Sequence, residues 1–397
     1  MTNTLTARRL APGPRPPRPG SLAIRALLAV GAVTAALIPS AAVAAGGPPT
    51  SQVRLALPAP TGDLPVGVRS TYLADPSRID ATTGRPRALP IRVWYPARTR
   101  STGPAAPYLS SRVRPVIEQA LGVPAGTFNV DTHAHEGVPM GRSIRGVILV
   151  SPGKGNPVAF ETGQVIDLAS RGWVLVTIDH PHDAFVVGQP DGTLVNRSLD
   201  GMDEFAFDQR VIDVGLVLAH LSQLVPAWRW GMPVGIFGHS MGGATAAEAL
   251  LRYGVLRAGV DLDGTPRGGV LSAGLDEPFG TMLSDLRTVE HIDDGIFDWF
   301  ALLRGPHPVR QLDVYHNGFT DFVVFAPEAA LVDPAMAATF EGVFRTDATS
   351  VAHGRASLAA QRTFLAGFMH RYLRQADVPS VTAGAGAVPF SRDLSAI

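Results

Sequence analysis

The chain of 397 residues has no cysteine, a single lysine and no net charge. The missing cysteine excludes disulfide scaffolds, Cys-ligated zinc, iron–sulfur clusters and thiol catalysis, so any nucleophile must be an oxygen or a nitrogen. The 34 basic side chains are balanced by 34 acidic ones, which argues against a nucleic-acid partner held by bulk positive charge. Since Lys154 is the only lysine, 34 − 1 = 33 of the basic residues are arginines, and Schiff-base chemistry has one position open to it. The sequence contains neither G-x-G-x-x-G nor a P-loop, so no nucleotide cofactor is expected. Charged residues are also sparse, 17% against 46% hydrophobic. A chain of this length and apolar content can bury a large core.

The first residues read as an address. Arg8, Arg9, Arg15 and Arg18 fall in a stretch without acidic residues, and an Ala/Leu/Val run follows over 27–38. Pro39 and the small residues of 40–45 come next. A basic region, a short apolar region and an Ala-x-Ala site describe a secretory signal, with cleavage expected after Ala42-Val43-Ala44. The apolar run is too short to span a bilayer, and the flanks of Arg8-Arg9 fit a twin-arginine signal poorly. We therefore expect a signal peptide over 1–44, a Pro/Gly-rich lead-in over 45–65, one catalytic domain over 66–376 and a loose tail over 377–397. The expected location is extracellular.

Within the domain, strands are expected over 66–73 and 89–94, then a Pro-punctuated stretch with one short helix over 113–121. From Gly146 the pattern changes. Gly146-Val147-Ile148-Leu149-Val150 is a continuous apolar run, suited to a strand buried on both faces. Further strands are expected over 173–178, 233–237, 258–262, 278–283 and 309–315. Helices are expected over 159–171, 203–224, 242–253, 289–303 and 356–373. Strands alternating with helices imply an α/β fold with a mostly parallel, doubly wound sheet.

Gly238-His239-Ser240-Met241-Gly242 has the form G-x-S-x-G between an expected strand and an expected helix. A serine at the tip of such a turn exposes its hydroxyl, and the flanking glycines remove Cβ clashes. A serine hydroxyl is a weak nucleophile, so it needs a base, and the base needs an orienting carboxylate. His316 follows the last expected strand and is the preferred base over His291, His307, His353 and His370. For the acid, Asp263 ends the strand after the elbow and Asp285 ends the next one. Position favours Asp263 and leaves Asp285 open, while Asp261 lies deeper in the strand and Asp276 lies in a loop. Two N–H donors must hold the oxyanion. Met241 is expected to supply one, and Lys154, in the loop Ser151-Pro152-Gly153-Lys154-Gly155-Asn156, the other.

These segments resemble the platelet-activating factor acetylhydrolase family of α/β-hydrolases, the plasma type also called lipoprotein-associated phospholipase A2. The resemblance rests on Gly238-His239-Ser240-Met241-Gly242-Gly243-Ala244-Thr245, Leu262-Asp263-Gly264 and His316-Asn317-Gly318-Phe319-Thr320-Asp321-Phe322. It includes Ser151-Pro152-Gly153-Lys154-Gly155 and Ile166-Asp167-Leu168-Ala169-Ser170-Arg171-Gly172. Pro152 stands where that family typically has His. The resemblance implies an α/β-hydrolase fold, the triad Ser240–Asp263–His316, oxyanion donors at Met241 and Lys154, and no cofactor or metal. It implies cleavage of short-acyl (phospho)lipid or related esters, with transient contact to a lipid surface. A polyester hydrolase, a cutinase-like lipase or a thioesterase would use the same triad, and a non-catalytic binding protein is the reading from another class.

Four further motifs stand out. His133-Ala134-His135-Glu136 and His180-Pro181-His182-Asp183 look like metal-ligand clusters but lack the helical His pair of a zincin. Arg210 and Asp213, at i and i+3, are expected to pair on a helix face. Phe297, Trp299 and Phe300 with Leu302 and Leu303 fit a lid or acyl-chain wall as well as they fit core packing.

Overall fold

Runs of apolar residues become the centre of a ten-stranded sheet. The structure, a computed structural model, describes residues 55–99, 103–285, 295–333, 338–340, 343, 350–373 and 390–393. The expected export signal lies outside these residues, as do residues 45–54 of the lead-in and most of the tail. The described residues belong to one compact unit, Gly46–Ile397.

The chain opens with β1 (Val66–Ile79) and β2 (Pro86–Pro96), longer than expected and paired antiparallel. After α1 (Val113–Ala120) and β3 (Ala134–Glu136) comes β4 (Val147–Ser151). A 3-10 turn, Val158–Glu161, leads into α2 (Thr162–Ser170), and then β5 (Val174–Ile178) follows. A small hairpin, β6 (Val186–Gly188) and β7 (Leu194–Asn196), precedes α3 (Asp203–Ala219) and α4 (Leu221–Leu224). The core continues with β8 (Val234–His239), α5 (Met241–Arg252), β9 (Leu256–Leu262), α6 (Val270–Ala273), β10 (Phe279–Ser284), α7 (Ile296–Phe300) and β11 (Val309–Leu312). Then come a 3-10 turn at His316–Phe319, α8 (Phe322–Val332), α9 (Val351–Tyr372) and β12 (Phe390–Asp393).

The sheet order is β12-β11-β10-β9-β8-β4-β5-β2-β1-β3. The six strands from β11 to β5 run parallel, and β2 and β12 join them antiparallel on either side. Every residue of β4, β5 and β8 is buried, as a sheet covered on both faces requires. Alternation sorts the two faces. Ile148, Val150, Leu175, Phe237, Val260 and Leu262 pack with α2, α8 and α9. Val147, Leu149, Val174, Val176, Val234 and Ile236 pack with α3 and α5. Burying Val214 and Val217 of α3 completely contributes about 1.5–3 kcal/mol each.

Several elements differ from expectation. The helix expected over 203–224 breaks at His220, where α3 ends and α4 begins. The helix expected over 289–303 shortens to α7 within the described residues; Trp299 and Phe300 are core, with the Trp299 indole N–H donating to Val270 O at 3.0 Å and its ring edge-on to Phe279. α8 was not foreseen. Its sequence FVVFAPEAALV is apolar on every side because the helix is buried nearly all round, so it carries no amphipathic signature. Inside the stretch expected to be a loose tail, Phe390–Asp393 pair with β11 at the sheet edge. Among the described residues no helix is long and apolar enough to cross a membrane.

Candidate active site

The carboxyl ends of β4, β8 and β9 lie side by side, with Ser151 opposite Gly238 and His239 opposite Leu262. Ser240 sits between β8 and α5 with φ 55° and ψ −123°, a conformation that costs a non-glycine residue about 1–3 kcal/mol and persists only where neighbours hold it. Its N–H donates to Leu262 O at 2.9 Å, and its carbonyl accepts from Gly243 N at 2.9 Å. The elbow also presses on the neighbouring strand, since a Cβ on Gly242 would overlap the Ser151 carbonyl. Glycine there is a steric requirement.

Asp263, one residue past β9, has φ 60°, a left-handed conformation that Asp tolerates better than most residues. Its N–H donates to Met282 O at 2.8 Å and its Oδ1 accepts from Ser284 N at 2.8 Å. Its Oδ2 accepts from His316 Nδ1 at 2.6 Å, while Ser240 Oγ donates to His316 Nε2 at 2.8 Å. Ser240, His316 and Asp263 thus form one hydrogen-bonded line, with the carboxylate buried and the imidazole part-exposed. The other candidates are elsewhere. Asp261 caps the turn after β9 by accepting from Gly264 N at 2.6 Å, and Asp276 pairs with Arg304. Asp285 anchors the chain through its N–H to Val314 O at 2.9 Å. His307 and His353 bond backbone carbonyls, and His291 lies outside the described residues.

His316 arrives on a 3-10 turn that buried glutamines hold in place. Gln361 Nε2 donates to Gly318 O at 2.8 Å and Gln164 Nε2 donates to Phe319 O at 2.9 Å. The His239 ring, from the elbow itself, lies 4.6 Å from that of His316 and donates through Nε2 to the His316 carbonyl at 2.9 Å. Asp321, wholly buried, accepts from Gly163 N at 2.8 Å and from Tyr108 Oη at 2.9 Å. The segment from His316 to Phe322 is therefore both a site and its fastening.

Burial pushes the Asp321 carboxyl up to about 7, against the lowering effect of its hydrogen bonds. The folded chain consequently holds a proton that the unfolded chain, at the ordinary value of 3.8, has released. That contribution to stability is complete below the unfolded value and is lost as pH rises through about 7, at up to about 1.4 kcal/mol per pH unit within the window. In Asp321→Asn this slope disappears, so urea unfolding at about pH 5 and about pH 7 should show the variant gaining on wild type at the higher pH. A gap that stays constant with pH would contradict the assignment.

Met241 opens α5 directly after Ser240, and Lys154 lies in the loop after β4. Among the described residues neither backbone N–H donates to a protein acceptor. The Lys154 side chain turns away and pairs with Asp203 at the start of α3. Behind this loop lie residues that the sequence reading did not assign to the site. Arg210, wholly buried, pairs with Asp183, whereas Asp213 pairs with Arg78 and Arg87; the expected Arg210–Asp213 pair does not form. His180, also buried, bridges Asp213 and Ser151. His182 bonds Asp80 and Ser198, and His133 and His135 bond backbone carbonyls. Among the described residues no group of three or more His, Asp or Glu is arranged to hold a metal ion.

A mostly parallel sheet flanked by helices, a strained serine at a strand-to-helix turn and an acid and histidine from later strand ends occur together in one fold. The fold is that of the α/β-hydrolases. Its match to the ferulic acid esterase from Streptomyces cinnamoneus has a TM-score of 0.68 at 26% identity, covering 85% of this chain and 99% of that one. In sequence the hydrolase is 27% identical over 307 residues to a probable 1-alkyl-2-acetylglycerophosphocholine esterase of Arthroderma benhamiae, spanning 67% of this chain and 76% of that protein. The resemblance seen in the motifs is therefore carried along much of the chain. No family model matches it.

Proposed function

We propose that this hydrolase is a secreted serine carboxylester hydrolase that cleaves short-acyl lipid esters or related esters through an acyl-enzyme. That it is a carboxylic ester hydrolase rests on its likeness to two esterases, one in sequence and one in structure. The serine mechanism rests on one observation, the hydrogen-bonded line Ser240–His316–Asp263. In it His316 Nε2 takes the Ser240 proton as Oγ attacks the ester carbonyl, and Asp263 stabilises the imidazolium through Nδ1. The tetrahedral oxyanion meets the Met241 and Lys154 N–H groups. The protonated histidine then gives its proton to the leaving alkoxide, and water, activated by the same base, releases the acid.

The preference for an acetyl-type acyl group follows the Arthroderma relative, and a bulky aromatic acyl group would follow the Streptomyces one. Protein recovered from culture medium, expected to begin at Ala45, should be assayed on p-nitrophenyl acetate, an acetyl-glycerophosphocholine, a feruloyl ester and a polyester film. Fastest turnover of the acetyl esters supports the proposed specificity, whereas fastest turnover of the feruloyl ester or the film would replace it.

The backbone role given to Lys154 has its own test. Lys154→Pro removes the N–H and is expected to lower kcat by about 10²–10³-fold, the usual cost of one oxyanion donor. Lys154→Ala removes only the ion pair with Asp203, a part-exposed contact whose loss should cost less than about fivefold. Equal losses in the two variants would assign the role to the side chain.

A further inference from the structure

A second Ser–His–Asp line lies beneath the oxyanion loop. Ser151 Oγ donates to His180 Nε2 at 3.0 Å and His180 Nδ1 donates to Asp213 Oδ2 at 2.9 Å. All three residues are wholly buried, so no substrate reaches this serine and the line is not a second active centre. What it touches gives it a use. Ser151 is the last residue of β4, and Pro152, Gly153 and Lys154 follow it directly. Arg210, on α3 and 0% exposed, donates from Nη1 to Pro152 O at 2.6 Å and to Ser151 Oγ at 3.3 Å, and from Nη2 to Gly153 O at 3.1 Å. Its charge is met by Asp183.

A trans peptide points its C=O and the following N–H in opposite directions, and the described chain has no cis peptide. Fixing the Gly153 carbonyl on Arg210 therefore fixes the Lys154 N–H on the other side of the same peptide plane. Asn156 N, 3.1 Å from the Gly153 carbonyl, holds that plane a second time. On the elbow side, a Cβ on Gly153 would come within 2.8 Å of His239 Nδ1, and the Ser151 carbonyl lies against Gly242. The loop is thus clamped between Arg210 and the nucleophile turn. A buried guanidinium is costly to desolvate unless it is fully paired and hydrogen-bonded. Planar and five-donored, it suits a fork across two successive carbonyls as a lysine would not.

We propose that Arg210, with the buried Ser151–His180–Asp213 line, positions the oxyanion loop so that the Lys154 N–H is aimed before substrate arrives. This rests on the serine-hydrolase reading of the site. A donor misplaced by an ångström forfeits much of its effect in the transition state while binding the ground-state ester as before.

The test is the double variant Arg210→Met/Asp183→Asn, which removes the clamp without leaving a buried unpaired carboxylate. Expected are a fall in kcat of about 10- to 100-fold with KM within about twofold, and an equal fall in affinity for a trifluoromethyl ketone, whose hemiketal oxyanion needs the same donors. A merely structural role would lower the melting temperature and leave both quantities unchanged. That result, or a fall in kcat without the matching loss of inhibitor affinity, overturns the inference. Should the double variant not fold, His180→Leu, which frees Ser151 from Asp213, is read by the same pair of measurements, and His180→Gln is expected to recover part of the loss. Ser240→Ala run alongside separates the two readings. If it stays active, the serine mechanism itself fails; if it is inactive while the clamp variants behave as wild type, only the positioning role is lost.

Discussion

Ser240→Ala is expected to lower kcat on p-nitrophenyl acetate by about 10⁴-fold or more and to abolish labelling by a fluorophosphonate. The size follows from what the hydroxyl does, because without Oγ no acyl-enzyme forms and only the oxyanion donors remain to help water attack. Folding should be little affected. The strain at φ 55° belongs to the backbone, and alanine keeps both the Ser240 N–H to Leu262 and the carbonyl to Gly243. Substrate affinity should hold as well, so the loss appears in kcat and not in KM. An alanine variant that keeps more than about a hundredth of the wild-type rate would require another nucleophile.

The second large effect separates the two candidate acids. Asp263→Asn is expected to cost about 10⁴-fold in kcat, because an amide at this position can hold the wrong imidazole tautomer and cannot offset the charge of the imidazolium. The site makes that penalty hard to escape. Asp263 is 1% exposed, its Oδ1 is already engaged by Ser284 N, and only Oδ2 faces His316. Asp285→Asn should stay within about twofold of wild type, since Asp285 lies outside the Ser240–His316–Asp263 line and asparagine keeps the contact from Asp285 N to Val314 O. The two variants assayed side by side give a direct reversal test. If Asp285→Asn lost orders of magnitude and Asp263→Asn did not, the acid would be misassigned.

How much of this was readable in advance depended on whether the signal was local. The elbow was, because a strand, a G-x-S-x-G turn and a helix are contiguous, and Gly242 is demanded by the Ser151 carbonyl beside it. The central strands were legible too, since both their faces are covered and the residues are uniformly apolar. The acid was less so. Asp263 and Asp285 both end strands, and which one meets His316 depends on a left-handed turn after β9 that position alone does not disclose. Arg210 was read wrongly. Its i, i+3 neighbour Asp213 suggested a pair on the helix face, but both residues are buried and each pairs with a residue distant in sequence. α8 escaped for the opposite reason, a helix too thoroughly buried to show a polar face.

The lone lysine has a practical consequence. Amine-selective reagents find one side-chain target in the whole chain, and it stands in the loop beside the nucleophile turn. Its ammonium is part-exposed and leans on Asp203 at the start of α3. A fluorophore coupled there would be the one side-chain reporter, placed in the loop after β4 without mutagenesis and without a cysteine to compete for the dye.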